Sequence, residues 1–225
     1  VRFIDVSNKL GAALPPFVAV IVGIALVLLA LAFRSILVPL KAVAGFLLSI
    51  TASLGAVVAV YQWGWLDGVI DVPKVGPVVS FVPILLIGVL FGLAMDYELF
   101  LVSGMKEQHV HGMAPREAVV AGVKNGARVV TAAALIMISV FGSFVFGDDP
   151  IVQPIGFALA VGVLVDAFVV RMALVPAAMA LFGRAAWWLP GWLERLLPRV
   201  DMEGEQLLAR LEQPEAEAAR TAARV

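Results

Sequence analysis

Apolar residues in this chain run continuously instead of alternating, and the runs are long. Five stretches stand out, Phe17–Phe33, Leu37–Tyr61, Val79–Ser103, Val129–Phe146 and Ile151–Leu181. A helix needs about 20 apolar residues to cross a bilayer, and unbroken runs argue against membrane strands, which alternate. The pattern predicts an all-α, polytopic transmembrane helix bundle of about five spans. Segments 1–16 and 201–225 are the polar ends. The first reads as the end of an external segment, and 17–183 as the transmembrane domain. Residues 184–200, with Trp187, Trp188 and Trp192 among arginines, read as an interfacial amphipathic segment. The last 25 residues are a polar tail broken by Pro214.

Charge orients the bundle. Arg34 and Lys41 sit in the first turn, Lys106, Arg116, Lys124 and Arg128 in the third connection, and Arg184, Arg195 and Arg199 after the last run. The opposite connections carry Asp67, Asp71, Lys74, Asp148 and Asp149. Basic loops stay in the cytoplasm, so the N-terminus is expected outside and the C-terminus inside. Pro115 and Glu117 mark a helix start in the third connection, opening a helix to about Lys124.

Composition narrows the class. The chain is 62% hydrophobic with a net charge of −1, well above the roughly 45–50% apolar usage of soluble domains. No basic field points to nucleic acid. With no cysteine, disulfides, thiol catalysis and cysteine zinc sites are excluded. No phosphate-cradling glycine loop, nucleophile elbow or zinc-protease motif is present, which leaves ATP-driven pumping and the common hydrolases unsupported. His109 and His111 alone make a weak metal site, so no cofactor is expected. Arginine outnumbers lysine 11 to 5 and alanine abounds, in keeping with a bacterial gene. The chain begins on Val1 instead of Met, as a piece of a longer polypeptide would.

The residues that break the apolar runs carry the candidate chemistry. Asp96, followed by Tyr97, lies inside VVSFVPILLIGVLFGLAMDYELFLVS. A carboxylate there costs about 2.5–3.5 kcal/mol on insertion scales. Gly88, Gly92 and Asp96 recur every four residues on one helix face, which predicts a close helix–helix seam holding the aspartate. A carboxyl group that loads and unloads a proton inside the membrane is what a proton-coupled transporter needs. The alternative is a packing aspartate neutralised by a hydrogen bond. The fifth run carries Asp166 and Arg171, with Gly162 on the face of Asp166 as another seam residue. Five residues is poor spacing for a same-face pair in an α-helix, although Arg is long enough to bend back, and a structural role, pairing with each other or with loops near the inner surface, is the stronger reading for these two. Glu98 lies nearly opposite Asp96; it faces the inner interface or pairs with a basic residue, and receives no functional role. Thr131, Ser139 and Ser143 relay a proton or, more simply, bond back to helix carbonyls.

Several strings together resemble a known family. FGLAMDYELFLVSGMKEQ and REAVVAGVKNGARVVTAAALIMISVFGSFVFG, with LALAFRSILVPLKA, IGFALAVGVLVDAFVVRMALVPAAMAL and WWLPGWLERLLPRVDMEGE, are similar to the second half of MMPL-type transporters of the resistance–nodulation–division (RND) superfamily. The resemblance covers about residues 10–205. It implies twelve spans in two halves, each half with an external domain after its first span, and makes this chain the last five. It also implies a relay of two Asp-Tyr pairs, with Asp96-Tyr97 as the second-half pair and protons as the coupling ion. The first-half pair is absent from this sequence.

The function expected is thus part of a proton-motive-force-driven exporter of lipids or other hydrophobic molecules in the bacterial plasma membrane, and not an enzyme. Its partners would be membrane lipids, the hydrophobic substrate and the N-terminal half. One alternative is a half-size or truncated subunit that assembles with another half. A remote one is an intramembrane aspartyl protease using Asp96 and Asp166, although Ala94-Met95-Asp96 replaces the Gly-x-Gly-Asp element expected there.

Overall fold

A computed structural model describes residues 2–65, 68 and 81–188. Asp67, Asp71, Lys74, Trp192, Arg195 and Arg199 lie outside the described residues, as does the tail 201–225; the predicted interfacial segment is described only to Trp188. Every element found is helical. Helix α1 (Arg2–Phe33) turns into α2 (Leu37–Val57), which ends in a π-helical segment, Val58–Gln62. Helices α3 (Val82–Val110) and α4 (Pro115–Ser143) follow. The final rod is built of α5 (Val152–Leu164), a π-helix (Val165–Leu174) and α6 (Val175–Phe182), closed by a 3-10 turn, Gly183–Trp187.

Five of these rods are long and apolar enough to cross a membrane, Lys9–Phe33, Leu37–Gln62, Val82–Val110, Pro115–Phe146 and Val152–Phe182. The protein is therefore a multi-pass membrane protein. Its outer surface agrees, since Val20, Leu28, Leu40, Ile136 and Leu181 are all exposed.

Two elements are longer than their apolar runs. Helix α1 starts at Arg2 and passes through Pro15 and Pro16, so most of the stretch read as an external segment is helical. Its 32 residues extend about 48 Å, more than the roughly 30 Å hydrocarbon layer. Likewise the short helix expected to end near Lys124 is one piece with the fourth span. Pro115 sits where a helix tolerates it, in the first turn, and no later proline interrupts the rod.

Close approach between rods is set by small residues. A Cβ on Gly122 would lie 2.8 Å from the Met105 backbone, and one on Gly126 would lie 3.0 Å from Leu101, so α4 presses flat against α3. Gly162 meets Leu90 of α3 in the same way, at 2.7 Å, and Gly156 meets the Phe141 carbonyl at 2.7 Å. Serines add polar links between α2 and its neighbours. Ser53 donates to the Ala158 carbonyl at 2.6 Å, and Ser35, in the α1–α2 turn, donates to the Ala186 carbonyl at 2.6 Å.

The buried apolar residues fall into two clusters. One contains Phe46, Tyr61, Leu86, Ala94, Leu159 and Ala167. The other contains Phe33, Ala42, Leu101, Met105, Val170 and Met179. Along α3 the change from one to the other falls between Ala94 and Leu101; along the final rod it falls between Ala167 and Val170. The bundle's buried charged residues, Glu98, Asp166 and Arg171, gather at that waist.

Candidate functional site

Arg171 is the hub of the waist. Its Nε donates to Asp166 Oδ2 at 2.6 Å and its Nη1 to Glu98 Oε2 at 3.2 Å, while Nη2 donates to the Ala94 carbonyl. Lys41 Nζ reaches the other oxygen of Glu98 at 2.8 Å, and Ser49 Oγ donates to Asp166 Oδ1 at 3.2 Å. Two cations and two carboxylates thus share one cluster drawn from α2, α3 and the final rod. Glu98 is 1% exposed, Arg171 2% and Asp166 5%. Charges removed from water this completely persist only when paired and hydrogen-bonded. A planar guanidinium with several fixed donors can hold three acceptors at once, which an ammonium cannot do in one plane.

The i, i+5 spacing of Asp166 and Arg171 works because the helix there is not α. At 3.6 residues per turn, side chains five apart point about 140° away from each other. The π-helix Val165–Leu174 bonds each residue to the fifth one on, which stacks such positions. The sequence spacing looked unfavourable because it was measured against the wrong helix.

Asp96 lies elsewhere. Gly88, Gly92 and Asp96 share one face of α3, as their spacing predicts, and that face is exposed. A Cβ at Gly88 or Gly92 would meet nothing within 4 Å. Among the described residues no side chain hydrogen-bonds to Asp96 and none pairs with it. By contrast, Gly162 is packed on α3 through Leu90.

Tyr97 joins the two regions. The Arg171 guanidinium carbon stands 5.8 Å from its ring centre, and its hydroxyl lies 3.4 Å from the Met137 sulfur. It also lines a small cavity with Ser49, Leu90, Ala94 and Asp166, about large enough for a single water. Tyr97, next to Asp96 in the sequence, thus borders the cavity that Asp166 also lines.

The hydroxyls of α4 have local partners. Ser139 donates to the Leu135 carbonyl and Ser143 to that of Val140, both at 2.7 Å. Thr131 instead faces the Met172 sulfur at 3.9 Å. The His109 ring stacks on Trp187 with centroids 5.5 Å apart, and its Nδ1 is 3.3 Å from the Met113 carbonyl.

Sequence reasoning gave Lys41 and Ser49 no part in a site and left the basic partners of Glu98, which are Lys41 and Arg171, unnamed. The signal for Lys41 and Glu98 was present, since each is a charge inside an apolar run, the same observation that selected Asp96. Nothing in the sequence joins Lys41 to Glu98, which are 57 positions apart.

The model of the MMPL family matches residues 5–202. Among curated relatives, the chain is 53% identical to the membrane protein YdfJ of Bacillus subtilis over 94% of its own length and 29% of the relative's. It is 42% identical to the mycolic acid-containing lipids exporter MmpL11 of Mycolicibacterium smegmatis, over 88% of this chain and 21% of that one. With the trehalose monomycolate exporter MmpL3 of Mycobacterium tuberculosis the figures are 37%, 88% and 21%. The chain thus spans less than a third of the length of these relatives. On a match that runs through nearly all of its residues, including the whole charged waist and the Asp96-Tyr97 pair, the chain belongs to the MMPL family.

Proposed function

We propose that this chain forms the proton-coupling half of a membrane transporter that exports lipids or other hydrophobic molecules. The observation that carries the reading is the buried Lys41–Glu98–Arg171–Asp166 cluster, linked through Tyr97 to an aspartate with no partner among the described residues. A bundle that needed only stability would do as well with apolar packing at the waist. Ionisable groups held inside a membrane bundle mark ion and proton pathways by default.

In this reading Asp96 takes a proton from the external side. The exposed Gly88–Gly92–Asp96 face is the seam that receives the other half of the transporter, whose own Asp-Tyr pair completes the relay. Protonation neutralises Asp96 and weakens its hydrogen bonds across that seam, and the two halves rock. Tyr97 and the cavity beside it connect Asp96 to Asp166, so the charge state at the seam is felt by the buried cluster. Loss of the proton to the cytoplasm resets the site. Each proton contributes about 2.3 kcal/mol per 100 mV of membrane potential, with the pH gradient added. The charges of the connections orient the chain with its N-terminus outside.

The lipid substrate is supported by the names of the two mycobacterial exporters. The length of the relatives favours a second half on the same polypeptide; a separate half-size subunit is the other way to cover the exposed face. The test is the Asp96→Asn variant in the complete transporter, assayed for proton-dependent efflux of a lipid substrate. Abolished efflux with normal membrane insertion is expected, and undiminished efflux would sink the reading.

A further inference from the structure

Helix α4 turns one face to α3 and another outward. Gly122 and Gly126 press on Met105 and Leu101 of α3. Lys124 and Arg128 each lie two residues beyond one of these glycines, about 160° round the helix, and both are exposed. Neither has a hydrogen-bond or ion-pair partner among the described residues. Arg116 differs, since its Nε donates to the Ala180 carbonyl of the final rod at 3.3 Å. Glu117 is the one carboxylate of α4, and it lies seven positions before Lys124, about 10 Å along the axis. The helix therefore carries two cations side by side with no anion between them.

Their depth follows from the rod they belong to. Pro115–Phe146 has 32 residues and extends about 48 Å, against roughly 30 Å of hydrocarbon. About 20 residues fill that layer, and counted back from Phe146 they end near Ala127. Lys124 and Arg128 thus stand where hydrocarbon meets headgroups. Two turns deeper on the side of Arg128, Leu135 is 53% exposed, so lipid tails cover the surface below the cations. Like charges four residues apart, with Cβ atoms about 5–6 Å from each other, repel. One anionic group held between them removes that repulsion and takes charge-assisted hydrogen bonds from both.

We propose that Lys124 and Arg128 hold the phosphate of one anionic phospholipid in the leaflet at the Pro115 end of α4, its acyl chains running along Leu135. A zwitterionic headgroup brings its own cation beside the phosphate and gains less there. The occupant is a lipid in preference to a soluble anion or an acidic protein, because the cations open directly onto a surface covered by acyl chains. The site lies on the side of α4 away from α3 and takes no part in the proton relay.

The test is crosslinking in the complete transporter, held in nanodiscs of equimolar phosphatidylglycerol and phosphatidylcholine. A benzophenone amino acid replaces Leu135, or, in a reference protein, Val20, which is 60% exposed on α1. Lipid adducts are identified by mass. The ratio of phosphatidylglycerol to phosphatidylcholine adducts should be about fivefold higher at Leu135 than at Val20, the factor for one basic residue at an anionic surface. Lys124→Gln together with Arg128→Gln should bring the two ratios together. Lys124→Arg together with Arg128→Lys should keep them apart. All four changes are on an exposed face, so melting temperatures should stay close to wild type. Equal ratios at the two positions without these changes, a difference that survives the glutamine pair, or its loss in the charge-conserving pair would overturn the proposal. So would adducts of Leu135 with protein in place of lipid, which would show that another helix or a partner covers this face.

Discussion

Arg171 shows at the scale of a residue why the waist is all or nothing. Its guanidinium serves Asp166, Glu98 and the Ala94 carbonyl together, so removing it leaves two carboxylates facing one lysine in a dry interior. Breaking a buried pair by deleting one partner costs about 3–5 kcal/mol. Arg171→Leu should lower thermal stability in detergent by that order, read from the unfolding of the purified protein. An unchanged melting temperature would mean that the cluster is hydrated or dispensable. Asp166→Asn keeps one acceptor for Nε and turns its NH2 toward Ser49, whose hydroxyl can accept, so it should cost less than Arg171→Leu in the same assay. The residue types at this site were legible in the sequence, and a pairing of Asp166 with Arg171 could be named there, but their joining to Glu98 and Lys41 could not. Asp96 and Arg171 each announce themselves as charges in apolar runs, but which charge meets which depends on how three rods are brought together.

At the scale of the element, all five spans could be read from the sequence because hydrophobic length is the dominant signal in a membrane helix, although the rods outrun the apolar runs, the first starting before Phe17 and the fourth at Pro115 instead of Val129. Where the reading fell short, backbone geometry decided. The π-helix at Val165–Leu174 holds both charges of the final rod, but its composition does not say which hydrogen-bond pattern the backbone takes. Its effect appears only once Asp166 and Arg171 are seen on one face. Glycines show the same divide. Gly88 and Gly92 form a small-residue motif but meet nothing within 4 Å, whereas Gly122 and Gly126, at the same four-residue spacing, press against Met105 and Leu101, so the spacing alone does not tell which face is packed. Replacing Gly122 by Ala should force α3 and α4 apart and destabilise by about 1–3 kcal/mol, as overpacking does. Gly92→Ala should leave the stability of this chain by itself unchanged or slightly raised, since alanine favours helix. Parallel melts of the two variants check this contrast. Equal loss in both would show that the Gly92 face is covered within this chain.

At the scale of the molecule, the exposed Gly88–Gly92–Asp96 face and the short coverage of the relatives point the same way. The face carries an ionisable side chain that lipid would not tolerate bare, and the relatives are more than three times as long as the matched region. In the complete transporter, Gly92→Leu should therefore separate the halves and abolish transport while the protein still inserts. Normal transport by that variant would show that no helix packs there.

The central claim is that the charge on Asp96 drives this transport. Its most direct measurement is proton flux into proteoliposomes holding the complete transporter under an imposed pH gradient with lipid substrate present, wild type against Asp96→Asn. The account predicts substrate-dependent proton entry in the wild type and none above the leak of empty vesicles in the variant. Equal substrate-dependent entry in both would contradict it.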